Sequence, residues 1–308
     1  MLAFTLRRLV FATITFFAIV TVVFFLIRLA PGGPFDGERR LPPEIEANLK
    51  AAYHLDAPLW EQYGRFMSKL LQGDLGPSFR QKDFSINELI QSGLPVSAGL
   101  GFAALILAIV LGLVVGISAG FNHGSQLDAA LMALSNINIA IPTIVSAPIM
   151  VLVFSVSLSL FPAGGADSIL HFVLPALALA IPLSAELARL VRGGVAEAIH
   201  EPHVRTAYAK GIGRLRTIRR HILPIAVIPM VSFLAPAAAG LLTGTVVVEQ
   251  VFNLPGIGRY FVDGALNRDY TLVMGVTIVY ATAILVMNFL ADLAYGVIDP
   301  RIRVAQNA

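Results

Sequence analysis

The sequence predicts an all-α membrane protein with six spanning helices, and two observations support this fold class. Hydrophobic residues make up 56% of the 308 residues and charged residues only 13%, whereas soluble domains have roughly 45–50% apolar and about 25% charged residues. The charges are also clustered, so that long intervals contain no Asp, Glu, Lys or Arg. Cysteine is absent, which excludes disulfide scaffolds, thiolate metal sites and cysteine nucleophiles.

Each charge-free interval is long enough for one membrane helix, since a hydrocarbon core of ~30 Å needs about 20 apolar residues. The first interval contains 14 residues of the Leu, Ile, Val or Phe type. It fits a cleaved signal peptide poorly, because the apolar region of such peptides has about 7–15 residues. We therefore interpret it as a span. The six intervals are 9–27, 89–127, 129–166, 168–185, 221–248 and 270–291.

The spans define the predicted domain organisation. Residues 1–29 are an N-terminal tail and the first helix, and 30–93, the only stretch with soluble composition, form a small helical extracytoplasmic insertion between the first two spans. Residues 94–298 are the transmembrane core, and 299–308 are a C-terminal tail. Within the core we expect spans near 94–121, 129–160, 168–189, 222–248 and 271–292, with a loop at 193–221.

The distribution of basic residues predicts the orientation of the chain. The segment from Arg189 to His221 carries eight basic and two acidic residues, whereas 249–271 carries two basic and three acidic ones. Loops rich in Lys and Arg remain on the cytoplasmic side of membranes. The loop 193–221 is therefore expected in the cytoplasm, and with six spans both termini share that side.

Polar residues and a proline inside the spans are candidates for a translocation pathway. Pro142 accompanies Asn136 and Asn138 in the third span, and a proline there frees a backbone carbonyl that polar neighbours or water satisfy. Glu186 near the cytoplasmic end of the fourth span is a further candidate, because ionisable residues in membranes mark relays or substrate paths. For the third span, the alternative is ordinary interhelical packing. For Glu186, the alternative is an ion pair with Arg189.

Glycines recur at a spacing of four residues in the second span, at Gly112, Gly116 and Gly120. Small residues at this spacing permit close approach of two membrane helices. We interpret them as a helix-packing face, with a sliding surface during transport as the alternative.

Several kinds of chemistry are excluded by the sequence. No lysine lies in a Gly-Lys-Ser/Thr context, so there is no phosphate-binding loop of the Walker A type. His200 and His203 are three residues apart with Pro202 between them, which is not the zinc-protease spacing on a continuous helix. No nucleophile–base pair is recognisable. We expect neither catalytic residues nor a metal or other cofactor in this chain, and no nucleic-acid partner.

The loop 193–221 contains a predicted short helix with an apolar stripe. Pro202 is suited to its first turn, and Gly211 and Gly213 to its end. Because isolated helices shorter than about 12–15 residues are marginal, this helix must dock on its own bundle, on another protein or on anionic membrane lipid. The stripe comprises Val204, Ala207, Tyr208, Ile212, Leu215, Ile218 and Ile222.

This loop resembles the EAA loop of ABC importer membrane subunits, in the form used by dipeptide/oligopeptide permeases. Gly211 is followed by nine residues and then by His221-Ile222-Leu223-Pro224. Arg205 and Thr206 occupy the Glu and first Ala positions, so no role of that Glu is expected. Further segments look, in order, like the B-type subunit of these permeases: Arg28–Gly32, Leu55–Leu59, Gly73–Ser78, Val248–Arg259 and Asp299–Arg303.

The resemblance implies an ABC type I importer permease fold in a bacterial cytoplasmic (inner) membrane. It implies half of a pathway for di- or oligopeptides, although similar members carry nickel or haem. The implied partners are a homologous C-type permease subunit, cytoplasmic ATPase subunits that hold ATP and magnesium, and an extracytoplasmic substrate-binding lipoprotein. The alternatives are a self-sufficient ion-coupled transporter or channel and a structural scaffold.

The resemblance also implies roles for individual residues. Contacts with the extracytoplasmic partner are expected at Glu249 and Arg259. The helix 203–211 and the segment after it are expected to couple the chain to the ATPase. The coupling residues are Arg205, Ala207, Tyr208, Gly211, Leu223 and Pro224.

Overall fold

The computed structural model describes residues 2–29, 55–81 and 84–298. Within these ranges the chain is helical and has no β-strand, which confirms the all-α prediction. The tail 299–308 and residues 30–54 of the predicted insertion lie outside the described residues. The helices are α1 (Leu2–Leu29), α2 (Leu59–Leu71), α3 (Ile86–Phe121), α4 (Gln126–Ala140), α5 (Thr143–Met150), α6 (Leu170–Ala198), α7 (Pro202–Ala209), α8 (Arg214–Thr217), α9 (Leu223–Ala226), α10 (Ile228–Val251), α11 (Ile257–Leu266) and α12 (Tyr270–Ile298).

Four helical segments are long and apolar enough to cross a membrane: Thr5–Leu29 of α1, all of α3, all of α6, and Tyr270–Leu290 of α12. Two further candidates are bent helix pairs. Gln126–Ala140 and Thr143–Ser157 meet at 102°, and Arg214–Ala226 and Ile228–Leu234 meet at 44°. If each bent pair counts as one span, the described chain has six candidate spans, which is the number predicted.

Several helices are longer than the spans expected from charge-free intervals. The second predicted span begins at 94, whereas α3 begins at Ile86. The fourth was expected to end at 189, whereas α6 continues to Ala198. The reason is that charges limit which residues enter the hydrocarbon, but they do not end a helix, since Arg and Glu are good helix formers.

The predicted third span is broken beside its proline. Ile141 has extended backbone angles (φ −88°, ψ 114°), as expected for a residue that precedes proline. The carbonyl of Pro142 then accepts hydrogen bonds from the backbone N–H groups of Val145 (2.9 Å) and Ser146 (3.1 Å). Pro142 therefore ends α4 and begins α5. A π-helical segment, Val151–Ser157, continues from α5.

The chain divides into two compact units, Met1–Ser97 with Pro255–Val286, and Ala98–Leu254 with Met287–Ala308. In the first unit, the ring of Phe24 in α1 packs on Tyr63 and Phe66 of α2, with centroid distances of 5.2 and 5.4 Å. These aromatic contacts attach α2 to the first predicted span.

In the second unit, the glycines of α3 form a close contact with α6. A Cβ atom on Gly116 would lie 2.6 Å from the carbonyl oxygen of Ala188. Cβ atoms on Gly112 and Gly120 would lie 2.7 and 2.6 Å from the Cβ atoms of Leu187 and Val195. No side chain fits in these spaces, so the glycines form the helix-packing face that their spacing predicts.

Candidate functional site

The short helix α7 has a defined start and end. Pro202 is its first residue, where the missing N–H has no intrahelical partner to lose. At the other end, Gly211 has a φ of +74°, its N–H donates to the carbonyl of Tyr208 (2.9 Å), and the N–H of Ile212 donates to the carbonyl of Ala207 (3.1 Å). This pattern is a Schellman motif, and its left-handed position favours glycine.

The two faces of α7 have different surroundings. Val204 is 0% and Ala207 is 3% exposed, whereas Tyr208 is 46% exposed. The helix packs on α8 and on the π-helical segment Ile218–Ile222 that follows it. Ala207, which was expected to contact the ATPase, therefore faces its own bundle. Arg205 and Tyr208 are exposed and remain available to a partner.

The apolar stripe of the loop is divided in the same way. Ile222 is buried with Val204 and Ala207, whereas Leu215 is exposed like Tyr208. The bundle thus covers one part of the stripe, and the other part faces outward. This division follows from tertiary packing, and the sequence pattern left open which partner covers the stripe.

Contacts after α7 fix the loop to the rest of the second unit. The ring nitrogen Nε2 of His203 lies 3.1 Å from the backbone oxygen of His221. Leu223 and Pro224 form the first turn of α9, and α9 packs on α6. At this crossing, a Cβ atom on Gly194 would stand 2.2 Å from the carbonyl oxygen of Ala226. The short helix α9, which follows the loop, is therefore in direct main-chain contact with the long helix α6.

An ion pair holds the start of α4 to the same helix. The guanidinium of Arg192 donates two hydrogen bonds to the buried carboxylate of Asp128, from Nε at 2.6 Å and from Nη2 at 2.8 Å. The N–H of Gly124 donates to the same carboxylate (2.9 Å), and His123 Nδ1 lies 3.0 Å from Arg192 Nη2. Sequence reasoning missed this cluster. A lone acidic residue between two apolar intervals was its only signal, and Arg192 is 64 residues away.

A cavity of about 380 Å³ lies between α5, α6 and α10. Glu186 is the ionisable side chain among its lining residues, and the structure describes no ion pair between Glu186 and Arg189. Asn136, Asn138 and Pro142, also predicted for the pathway, are not among the residues that line it. The lining residues are Thr143, Leu179, Pro182, Leu183, Glu186, Phe233, Pro236, Ala237, Gly240, Leu241 and Gly244.

The two residues expected to contact an extracytoplasmic partner differ in exposure. Glu249 in α10 is fully buried, so its side chain is not on a surface that a partner can reach, and the expected contact does not fit the structure. Arg259 in α11 is partly exposed and lies beside Asp263, with Nε and Oδ2 3.5 Å apart. A partner contact at Arg259 stays a prediction.

The described ranges contain no cluster of three or more His, Asp or Glu side chains that could hold a metal ion. His203 is engaged with the backbone of His221, and His200 is exposed. His200 therefore lies in the turn before α7, and His203 lies in the first turn of that helix.

A family model described as "Binding-protein-dependent transport system inner membrane component" matches residues 108–304, which is more than half of the chain. The chain belongs to this family. A second model, for the N-terminal part of such membrane components, matches residues 1–100. The residues that the first model matches include α6, α7 and the cavity at Glu186. The features described above for the second unit therefore lie within the matched region.

Curated relatives of this transport component extend over nearly its whole length. It is 45% identical over 305 residues to the "Oligopeptide transport system permease protein OppB" of Haemophilus influenzae, covering 98% of this chain and 100% of the relative. The protein of the same description from Escherichia coli is 44% identical with the same coverage. The "Dipeptide transport system permease protein DppB" of Bacillus subtilis is 38% identical and covers 98% of both chains.

Solved structures confirm the fold predicted for the transport component. A chain of the MetNI methionine ABC transporter in an inward-facing conformation matches with a TM-score of 0.59 and 19% identity, covering 68% of this chain and 96% of that chain. A chain of an amino acid ABC transporter with histidines matches with a TM-score of 0.53 and 19% identity, covering 67% and 92%. The fold is that of ABC type I importer membrane subunits.

Proposed function

We propose that this chain is the membrane subunit of an ATP-driven importer and forms half of a translocation pathway for di- or oligopeptides. The names of its relatives support the peptide substrate, since full-length relatives at 38–45% identity are oligopeptide and dipeptide permease proteins. The other half of the pathway is a homologous C-type subunit, and an extracytoplasmic lipoprotein delivers the substrate. Both termini lie in the cytoplasm, on the side of the basic loop.

The observation that carries the coupling proposal is the outward face of α7. A helix of eight residues is anchored by Val204 and Ala207 and ended by a Schellman motif, and it presents Arg205 and Tyr208 outward. The sequence contains no phosphate-binding loop. A separate ATPase subunit that binds ATP and magnesium and receives this exposed face completes the system.

The contact between Gly194 and Ala226 supports a lever mechanism. Because α9 touches the main chain of α6 at Gly194, a displacement of α7 by the ATPase is transmitted to the membrane helix. Tilting of packed helices alternates access to a central site. Closure of the nucleotide-binding subunits would thus move α6 together with the loop.

The cavity at Glu186 is the proposed section of the pathway. A carboxylate in a membrane segment is expensive when it faces lipid, so such residues face a water-filled space or a protein partner. Glu186 lies in a cavity that Gly240 and Gly244 keep free of larger side chains. Thr143, next to the predicted Pro142, lines the same space, which links the broken third span to the pathway.

Reconstitution tests this function. The chain, its C-type partner and the ATPase are placed in proteoliposomes, the binding protein and a labelled tripeptide are added outside, and ATP is enclosed. We expect accumulation only with ATP and all subunits. Accumulation by this chain alone under a proton or sodium gradient, without nucleotide, would establish a self-sufficient ion-coupled transporter and overturn the proposal.

A further inference from the structure

A cavity of about 690 Å³ in the second unit is lined largely by arginines. It is distinct from the cavity at Glu186 and begins just after the Schellman motif of α7. Its wall consists of α8 and the π-helical segment Ile218–Ile222, with no acidic residue. The lining residues are Gly213, Arg214, Leu215, Arg216, Arg219 and Arg220.

The four arginines are not neutralised by the described part of the chain. Each is exposed, and none forms a described ion pair with an acidic side chain, in contrast to Arg192, which meets Asp128 at 2.6 Å. The opposite side of this helix is fixed. Thr217 is fully buried, and its hydroxyl donates to backbone oxygens of Ile212 and Gly213 at 3.3 Å. Four positive charges are therefore held on one stable segment.

The position of this segment along the chain places the charges at the edge of a membrane. Arg214–Ala226 and Ile228–Leu234 together pass as a candidate span, and all four arginines lie within its first seven residues. The charge-free interval 221–248 follows directly after Arg220 and is long enough to cross about 30 Å of hydrocarbon. When this interval lies in the bilayer, the arginines before it lie at the level of the lipid phosphates.

Exposed apolar side chains lie at the cavity and further along the same candidate span. Leu215 is 63% exposed and lines the cavity itself. Ile225 and Ile228, further along the same candidate span, are also exposed. A ligand with an anionic head and hydrocarbon chains matches this order of charged residues followed by apolar ones. A free phosphate ion would contact only the arginines.

We propose that this cavity binds the phosphate headgroup of an anionic phospholipid of the cytoplasmic leaflet. Arginine is suited to phosphate because its guanidinium donates two hydrogen bonds in a planar geometry. An acidic surface of the ATPase is the competing occupant, but it would not account for the exposed apolar residues that follow the arginines into the candidate span. The inference concerns lipid binding by the chain itself and is independent of the transported solute.

Native mass spectrometry of the purified full chain, with the subunits that it retains, tests the proposal. The chain is exchanged into micelles that contain phosphatidylglycerol or phosphatidylcholine, and retained lipid is counted. We expect retention of phosphatidylglycerol. In a variant with Arg216→Gln and Arg219→Gln, retention falls roughly 30-fold, since each basic residue near an anionic surface contributes about fivefold.

The matched control removes the same charge from the same basic segment, Arg189 to His221. Arg189→Gln with Lys210→Gln changes two exposed cations that do not line the cavity, and we expect it to retain phosphatidylglycerol like the parent chain. Equal losses in both double variants would show a general charge effect and overturn the site. Retention unchanged by Arg216→Gln/Arg219→Gln, together with loss of the bound ATPase, would assign the arginines to the ATPase instead.

Two further measurements complete the test. Displacement of the lipid by millimolar inorganic phosphate would indicate a free-anion site without acyl contacts, which contradicts the proposal. The Tm of each variant in phosphatidylcholine micelles reports folding. We expect the arginine variant to match the parent there and to lose the additional Tm increase that phosphatidylglycerol gives the parent chain.

Discussion

Gly194 of α6 lies against the main chain of Ala226, so closely that a Cβ atom at position 194 would stand 2.2 Å from the Ala226 carbonyl oxygen. Its neighbour Gly193 has no atom within 4 Å of the corresponding position. Two adjacent glycines therefore occupy opposite environments, one at the joint between loop and membrane helix and the other in open space. This difference provides the most direct test of the lever.

We expect Gly194→Ala to separate α9 from α6 and to reduce substrate-stimulated ATP hydrolysis several-fold. The reason is that an added methyl group has no space, and overpacking of this kind costs about 1–3 kcal/mol. Gly193→Ala is the matched control and should preserve stimulation, because alanine is the better helix former by about 1 kcal/mol. Equal stimulation in both variants would contradict a coupling role of this contact.

Gly211 tests the end of the coupling helix. Its φ of +74° is unfavourable for a residue with a Cβ atom, by about 1–2 kcal/mol, although no neighbouring atom blocks the space. We expect Gly211→Val to insert into the membrane normally but to lose stimulated ATP hydrolysis. Asparagine tolerates this conformation better, so Gly211→Asn should retain more stimulation than Gly211→Val. The reverse order would show that conformation is not the cause.

Tyr208 tests the outward face of α7. Buried aromatic residues at an interface commonly contribute 2 kcal/mol or more, so Tyr208→Ala should weaken binding of the ATPase by roughly 30-fold. Tyr208→Phe keeps the ring and should remain within a few-fold of the parent. Binding is measured by titrating the ATPase against the membrane subunit in nanodiscs. An alanine variant with unchanged affinity would place the ATPase contact elsewhere.

Glu186 tests the pathway. Glu186→Gln removes the ionisable group from the cavity wall, and we expect peptide uptake to fall about tenfold with ATPase assembly intact, since a lost hydrogen bond to a charged group costs about 1.5 kcal/mol. Glu197→Gln is the control on the same helix, because Glu197 is exposed and does not line the cavity. Identical uptake in the parent and in both variants would remove Glu186 from the pathway.

The pair of Asp128 and Arg192 tests how α4 is held. Arg192→Ala should lower the Tm, because it leaves a buried carboxylate without the guanidinium that donates to both of its oxygens. Asp128→Leu combined with Arg192→Leu should recover part of the loss, since neither charge is then stranded. A double leucine variant with a lower Tm than Arg192→Ala would show that the ion pair itself stabilises the fold. The loss in Arg192→Ala would then not be due only to an unpaired buried carboxylate.

The sequence predicted local features of the coupling loop well. Pro202 and Gly211 mark the start and end of α7 through backbone rules that operate within a few residues, and the structure has the helix between them. The side of the helix that is buried could not be predicted. Ala207 and Tyr208 are neighbours on one apolar stripe, and only packing on α8 separates a buried alanine from an exposed tyrosine.

Long-range pairs are the part that the sequence did not reveal. Asp128 and Arg192, and likewise Gly194 and Ala226, meet only because helices distant along the chain cross at these residues. The charge-free intervals predicted six spans, and the described residues contain four to six candidates. These intervals carry no information about which helices cross or at which residue. For the same reason Glu249 was expected on a surface, although its side chain is buried.

The glycine face of α3 has a mechanical consequence. At Gly112, Gly116 and Gly120, the atoms of α6 occupy the space that side chains fill elsewhere, so axial translation of one helix past the other would drive backbone into side chains. We therefore predict that these two spans move together during transport. Any opening and closing within this unit must be accommodated at other joints, of which the sharp corner beside Pro142 is the most pronounced.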